Sequence, residues 1–251
     1  ATVDRTLPTL NTVAISSNNS INGATRAKAL NVVTLSFNQS EALAAAPTVT
    51  WKSGGGAIAS SRVTTSSSGG NGWTSVYTAA ASDLDGAISY RITFSDTAGN
   101  AGIAVTGSGT VVFDDEVPTI SNVSIASNNS APTLAKAANE ITLSFVGSEK
   151  LDDNPTVVFK SGNQTTTNSA VVTNPSSDEI TWIAKYTTHN NDTEGPITYT
   201  IDFEDLADNN NGTNITSGSG SVTFDKSAPT LVGSTSTPAD NATGVSRNAN
   251  I

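Results

Sequence analysis

The chain contains no cysteine, no methionine and a single histidine, His189. Without cysteine, neither disulfide bonds nor thiolate chemistry is available, so packing or a bound metal ion must hold the fold together. The histidine lies in a polar run with no catalytic partner repeated around it, and we expect a solvated loop residue. No stretch is long and apolar enough to cross a bilayer, which argues against direct membrane insertion.

Charged residues are also scarce, and most of them are acidic. They make up 14% of the 251 residues, with 22 acidic against 12 basic side chains and a net charge of −10. Such a surface repels nucleic-acid phosphates and anionic lipid, so we expect no nucleic-acid partner, whereas cations are favoured. Hydrophobic residues reach only 36%. A core therefore requires apolar residues that alternate along short strands.

The sequence repeats itself at a domain-sized period. Pro8, Pro118 and Pro229 mark the same point of three successive units, and Trp73 matches Trp182. Each full unit is longer than solenoid repeats of about 20–50 residues and is long enough to hold its own core. The period predicts three units: a first repeat at 1–113, a second repeat at 114–225, and a linker with the truncated start of a third domain at 226–251.

Apolar and polar residues alternate within each unit, as in Val33, Leu35 and Phe37. This period of two is typical of strands with one buried face, and about seven such strands in one unit indicate a two-sheet sandwich. We therefore predict an all-β chain of tandem immunoglobulin-like β-sandwich domains, arranged as an elongated rod. The strands predicted in the first unit are 10–16, 29–37, 47–52, 57–64, 72–79, 87–95 and 103–113.

Several motifs resemble the bacterial immunoglobulin-like repeats of large extracellular surface adhesins, the RTX-type or giant adhesin extender domains. The motifs are Asp-Arg-Thr-Leu-Pro-Thr at 4–9, Leu-Ser-Phe at 35–37, Tyr-Arg-Ile-Thr-Phe at 90–94 and Asp-Thr-Ala-Gly-Asn at 96–100. The second unit departs from the last motif, because Asp208 replaces its glycine. The tail is similar to the start of an S-layer-type bacterial immunoglobulin-like domain. The resemblance implies an extracellular stalk at a bacterial cell surface, with calcium at the domain junctions.

The acidic residues also point to metal ions between domains. If successive strands run up and down, the loop between strands five and six and the end of strand seven share the lower end of a domain. In a linear array, that end faces the upper loops of the next domain. Clustered carboxylates repel one another unless a cation compensates them, and Ca²⁺ accepts six to eight oxygen ligands in irregular geometry.

The candidate calcium ligands fall at three junctions. Those of the central junction are Asp83, Asp85, Asp114, Asp115, Glu116, Asp205 and Asp208, with Asn209, Glu149 and Asp152 nearby. Those above the first repeat are Asp4, Asp96 and Asn100, with Glu41. Those below the second repeat are Asp192, Glu194 and Asp225. The alternative is that these residues are solvated loop side chains or form Asx turns.

The function expected from these features is that of a structural extender of an adhesin, with neighbouring domains of the same chain as its partners. Two alternatives remain open. One is a carbohydrate-binding module using Trp51, Trp73 and Trp182 as a platform, although core packing is the better reading of these residues. The other is a self-associating subunit of an S-layer or filament, in which 231–251 pairs with a neighbour's sheet edge. Enzyme activity is not expected, because a catalytic site would not normally be duplicated in each repeat.

Overall fold

The computed structural model describes residues 3–20, 23–152, 154–210 and 215–230. Within these ranges the chain forms eighteen β-strands and two short 3-10 turns, without an α-helix. No helix of this described part is long and apolar enough to cross a membrane. Residues 231–251, which make up most of the expected third unit and contain the proposed pairing segment, lie outside the described residues.

The first repeat contains nine strands. They are β1 (Leu10–Ser17), β2 (Arg26–Ala27), β3 (Val32–Gln39), β4 (Thr48–Ser53), β5 (Gly56–Ala57), β6 (Val63–Gly69), β7 (Gly72–Thr78), β8 (Gly86–Thr93) and β9 (Val105–Phe113). One sheet has the order β1-β3-β7-β6 and the other has the order β2-β9-β8-β4-β5. Strand β2 runs parallel to β9, and the remaining pairs are antiparallel.

The second repeat has the same architecture. Its strands are β10 (Ile120–Ser127), β11 (Leu134–Ala135), β12 (Glu140–Gly147), β13 (Thr156–Ser161), β14 (Gln164–Thr165), β15 (Val171–Thr173), β16 (Thr181–Thr187), β17 (Gly195–Asp202) and β18 (Val222–Phe224). Its sheets have the orders β10-β12-β16-β15 and β11-β18-β17-β13-β14. The repeated order follows from the repeated sequence, because each strand carries the same alternation of apolar and polar residues.

The strand prediction for the first unit needs two corrections. The strand expected at 29–37 begins only at Val32, because Leu30 adopts a positive φ of 73° and closes a turn there. The segment expected as one strand at 57–64 contains the end of β5, a 3-10 turn at Ser60–Arg62 and the start of β6. Nine strands replace about seven because the two-residue strands leave no periodic signal in the sequence.

Each repeat keeps a separate core between its two sheets. In β3, Val33, Leu35 and Phe37 are at most 2% exposed, while their neighbours along the strand face outward. Trp51 is 1% exposed and packs against Tyr77 with ring centroids 5.1 Å apart. Full burial of each large apolar side chain contributes about 1.5–3 kcal/mol, so packing can hold the sheets together without a disulfide bond.

The buried indoles exclude a surface platform built from the three tryptophans. Trp182 is 2% exposed and, like Trp51, belongs to the core of its repeat. Trp73 is half-buried against the first core, and its Nε1 donates a hydrogen bond of 2.7 Å to Gln39 Oε1. Core packing is confirmed for Trp51 and Trp182, and Trp73 packs against the edge of its core. The expected partner for each indole N–H is present for Trp51 and Trp73, but Trp182 Nε1 is buried without one among the described residues.

Candidate metal centres at the domain junctions

The loop after β17 holds one aspartate in a fixed orientation. Asp205 is 1% exposed, and its Oδ1 accepts hydrogen bonds from the backbone N–H of Ala207 at 2.7 Å and of Asn209 at 2.8 Å. Its Oδ2 accepts a third bond, from Asn209 Nδ2 at 2.8 Å. This Asx-type turn orients the carboxylate before any ligand arrives.

The loop after β8 repeats the arrangement in the first repeat. Asp96 Oδ1 accepts from the backbone N–H of Ala98 at 2.9 Å and of Asn100 at 2.8 Å, and Oδ2 accepts from Asn100 Nδ2 at 2.8 Å. The replacement of glycine by Asp208 in the second repeat leaves this turn intact. Asp208 adopts a φ of 71° where Gly99 has 92°, so both residues take the left-handed conformation that the turn requires.

Three carboxylates from different parts of the chain meet at the central junction. Asp114 follows β9 at the lower end of the first repeat, while Glu149 and Asp205 lie in upper loops of the second repeat. One carboxylate oxygen from each lies within 4.8 Å of the others. Asn209 Nδ2 also donates a hydrogen bond of 2.9 Å to the backbone oxygen of Asp114 and so ties the linker to the loop. We call these three residues the central carboxylate group.

The charges of the central carboxylate group destabilise one another in the metal-free chain. Burial, with repulsion from Asp114, Asp205, Glu116 and Asp85, raises the pKa of Glu149 to about 7. Burial and the charge of Asp205 likewise raise the pKa of Asp114. A divalent cation would reverse both effects, because it stabilises the ionised forms.

A matching set lies at the upper end of the first repeat. Asp4, Glu41 and Asp96 bring carboxylate oxygens within the same 4.8 Å, and Asn100 Nδ2 donates to the backbone oxygen of Asp4 at 3.3 Å. We call them the N-terminal carboxylate group. Burial and the charges of Asp4 and Asp96 raise the pKa of Glu41. Burial opposes ionisation of Asp96, but the hydrogen bonds from Asn100 and Ala98 outweigh it and lower the pKa.

Several residues expected at the central junction have other partners. Asp83 forms an ion pair with Arg62, with Nη1 and Oδ1 2.5 Å apart, and its Oδ2 also accepts from Arg62 Nη2 at 2.6 Å. Asp115 Oδ1 accepts from the backbone N–H of Ala29 at 2.8 Å. Asp208 pairs with Lys28, with Oδ2 and Nζ 3.0 Å apart. These three carboxylates therefore lie outside the central carboxylate group.

Two further candidates lie near the group without joining it. Asp85 Oδ1 accepts a hydrogen bond of 2.9 Å from the backbone N–H of Asp115. Glu116 is exposed in the linker. Both raise the pKa of Glu149 through their charge. The sequence indicates Glu41 and Glu149 only as residues near the candidate ligands. In the structure, Glu41 belongs to the N-terminal carboxylate group and Glu149 to the central one, because the loop after β3 or β12 folds over the linker.

The candidates below the second repeat are engaged by protein donors. Asp192 is 2% exposed and accepts from the backbone N–H of Thr167 at 2.7 Å and of His189 at 2.8 Å. Glu194 Oε1 accepts from Ser227 Oγ at 2.7 Å, and bonds from Ser227 and the Lys226 backbone lower the pKa of Glu194. Asp225 Oδ1 accepts from the Ser227 backbone N–H at 2.9 Å. In the described ranges, these residues form no third carboxylate group.

No protein-family model and no curated protein matches the sequence. Among solved structures, an I-band fragment of titin is 12% identical with a TM-score of 0.46, and the match covers 88% of this chain and 66% of that fragment. A pair of titin domains in complex with telethonin is 13% identical with a TM-score of 0.30, covering 90% and 98% of the two chains. The N-terminal Ig module of the Drosophila receptor protein tyrosine phosphatase DLAR is 10% identical with a TM-score of 0.27, covering 88% and 99%.

The sheet topology defines the class of protein. In each repeat, one four-stranded sheet faces a five-stranded sheet, and a short strand pairs in parallel with the last strand. Two mainly antiparallel sheets that pack face to face around one core, as they do here, form an immunoglobulin-like sandwich. The chain is a tandem of immunoglobulin-like β-sandwich domains.

Proposed function

We propose that this chain is a non-catalytic structural extender of a bacterial cell-surface adhesin, stiffened by Ca²⁺ at its interdomain junctions. The observation that carries the proposal is the central carboxylate group, in which one residue of the linker meets two from loops of the second repeat. An ion held there ties the end of β9 to the next domain. Interdomain motion is otherwise the default expectation for tandem domains.

The chemistry of both groups suits calcium better than a transition metal. All donors are hard oxygens, without histidine or cysteine, and Ca²⁺ takes such ligands at about 2.3–2.6 Å in irregular arrangements. The Asx turns fix Asp96 and Asp205 in advance, which lowers the ordering cost of binding. Burial and the charges of neighbouring carboxylates raise the pKa of Glu149 and of Glu41, and a divalent cation would relieve the repulsion among these carboxylates.

The presence of a carboxylate group in both repeats also supports the extender function. A catalytic pair of carboxylates does not need a copy in every domain, whereas a brace does. The resemblance of the repeats to adhesin extender domains supports the same conclusion and an extracellular location. The neighbouring domains of the same chain are then the principal partners.

Isothermal titration calorimetry tests the ion sites directly. We expect the chelator-treated chain to bind two Ca²⁺ ions, Glu149→Gln and Glu41→Gln each to bind one, and the double variant to bind none. Glutamine keeps the side-chain volume and leaves both Asx turns untouched. Glu140→Gln is the matched control, because Glu140 pairs with Lys185 on the sheet surface, away from both groups. Absence of binding to the unaltered chain would refute the calcium proposal.

A further inference from the structure

The two repeats also touch through a contact that lies outside the central and N-terminal carboxylate groups. The ammonium of Lys28, in the turn after β2, pairs with Asp208 Oδ2 at 3.0 Å and donates to the backbone oxygen of Asp208. Beside it, Asn19 Nδ2 donates a hydrogen bond of 3.0 Å to the backbone oxygen of Ala207. We call Asn19, Lys28, Ala207 and Asp208 the polar latch.

The Asn19–Ala207 half of the polar latch is buried, whereas the side chains of Lys28 and Asp208 keep 29% and 26% of their surface exposed. Asn19 is 5% exposed and Ala207 is fully buried. The equivalent residues of the loop after β8, Ala98 and Gly99, are exposed. In the second repeat, the lower end of the first repeat covers this turn and removes it from water. A hydrogen bond in this position is costly to remove, because the carbonyl of Ala207 would be left buried without its donor.

One asparagine orients the Asn19 side chain and the backbone at Lys28. Asn31 Oδ1 accepts from Asn19 Nδ2 at 3.2 Å and from the backbone N–H of Lys28 at 2.8 Å. The positive φ of Leu30 closes this turn. The first repeat itself therefore holds the Asn19 amide and the backbone from which the Lys28 side chain extends.

The same donor arrangement recurs at the lower end of the second repeat. Asn129 Nδ2 donates to Asn139 Oδ1 at 3.0 Å, and the backbone N–H of Lys136 donates to the same oxygen at 2.9 Å. The Lys136 ammonium forms no ion pair with any residue that the structure describes. These copies serve as a control, because they share the chemistry of the latch but lie away from the central junction.

We propose that the polar latch fixes the orientation of the two repeats without a metal ion, with Lys28 as its positioning residue. The latch then acts beside the bond from Asn209 to the Asp114 backbone and beside the ion-binding carboxylate group, and either the latch or a bound ion restrains the hinge. Asp208 is the element that makes the latch specific to this junction, because Gly99 offers no carboxylate at the top of the first repeat. The inference concerns the metal-free chain and goes beyond the proposed calcium function.

Pulsed electron resonance distances test the proposal in the full chain. Since the chain has no cysteine, spin labels at Ser66→Cys and Val171→Cys report only the separation of the two repeats. The comparison includes the unaltered latch, Lys28→Ala, Asp208→Gly and the double variant, each in excess Ca²⁺ and in excess chelator. Asp208→Gly suits the left-handed backbone at this position, so we expect it to fold.

If the latch fixes the two repeats, the distribution of distances between the spin labels should be broad only for the latch variants in chelator. Its width should then be about two-fold above that of the unaltered chain. The double variant should be no broader than Lys28→Ala, because that variant already removes both bonds of the Lys28 ammonium to Asp208. Lys28→Arg should restore a narrow distribution, and the control Lys136→Ala should remain narrow throughout.

Two outcomes would overturn the proposal. One is a broad distribution for the unaltered chain in chelator, and the other is a narrow one for Lys28→Ala under the same conditions. Failure of the calcium proposal would give a different result, because the distance distributions of the latch variants would then remain broad in Ca²⁺ as well as in chelator. Circular dichroism of each variant verifies that the domains remain folded.

Discussion

Replacing Glu149 by glutamine should stabilise the metal-free second repeat above neutral pH. In the folded chain, burial and four neighbouring carboxylates raise the pKa of Glu149 to about 7, from an ordinary value of 4.5. The folded state therefore holds the proton more tightly than the unfolded state. The stability that Glu149 contributes is fully present below pH 4.5 and is lost as the pH rises through about 7.

The structure sets the size of the effect. Each unit by which the folded and unfolded pKa differ corresponds to about 1.4 kcal/mol, so complete ionisation of Glu149 costs at most about 3 kcal/mol. Glu149 is only half-buried, and water screens much of this repulsion. We therefore expect Glu149→Gln to raise the free energy of unfolding by about 1 kcal/mol at pH 8. At pH 4.5 or below, we expect no gain.

Urea unfolding in excess chelator, followed by tryptophan fluorescence, measures the difference at both pH values. Saturating Ca²⁺ should invert the ranking at pH 8, because the unaltered chain then gains about 2.7 kcal/mol at a hundred times Kd. The variant gains nothing from the same ion at this site. The crossing of the two stability curves distinguishes a ligand carboxylate from one that is only repelled.

Glu140→Gln is the control for a simple loss of charge. Glu140 pairs with Lys185 at the surface, so its replacement should leave stability unchanged or lower it by less than about 1 kcal/mol. The reasoning is refuted if Glu149→Gln destabilises the metal-free chain at pH 8. It is also refuted if the gain is the same at pH 4.5 and pH 8.

Three further predictions concern the surroundings of the sites. Hydrogen bonds from backbone N–H groups lower the pKa of Asp178 to about 2. The stability that the Asp178 carboxylate contributes is present above pH 3.8 and is lost as the pH falls towards 2. Asp178→Asn should therefore lower the free energy of urea unfolding at neutral pH, and this loss should shrink between pH 3.8 and pH 2. Gly54→Ala should lower the stability of the first repeat by more than about 1 kcal/mol, because its φ is +52° and the new Cβ meets the backbone oxygen of Asp85. Gly55→Ala, with a positive φ but open space, separates strain from collision, and a loss as large as that of Gly54→Ala would contradict the clash. Asp83→Asn should leave the number of bound Ca²⁺ ions unchanged in calorimetry, because Asp83 lies outside the central carboxylate group; loss of one ion would place it among the ligands.

The alternation of apolar residues allowed the long strands and the two-sheet class to be predicted. Val33, Leu35 and Phe37 define one buried face whatever the neighbouring strands are, since successive side chains of a strand point to opposite faces. The pairing of β3 with β7 depends on contacts between distant parts of the chain, and periodicity carries no information about them. Short strands such as β2 escape prediction for the same reason, because parallel pairing with β9 defines them.

The acidic junctions show which features of the candidate site could not be predicted from the sequence alone. Repetition and composition determined that this chain is a tandem of all-β domains with carboxylates concentrated at the ends of each domain. They could not separate Asp83 from Asp85, which stand two positions apart in one loop. Only the tertiary structure decided that Asp83 forms an ion pair with Arg62, that Glu149 lies over the linker, and that Lys28 forms an ion pair with Asp208. Local patterns are set by neighbours along the chain, whereas a charge cluster or an interdomain contact depends on which distant loops the packing of sheets brings together.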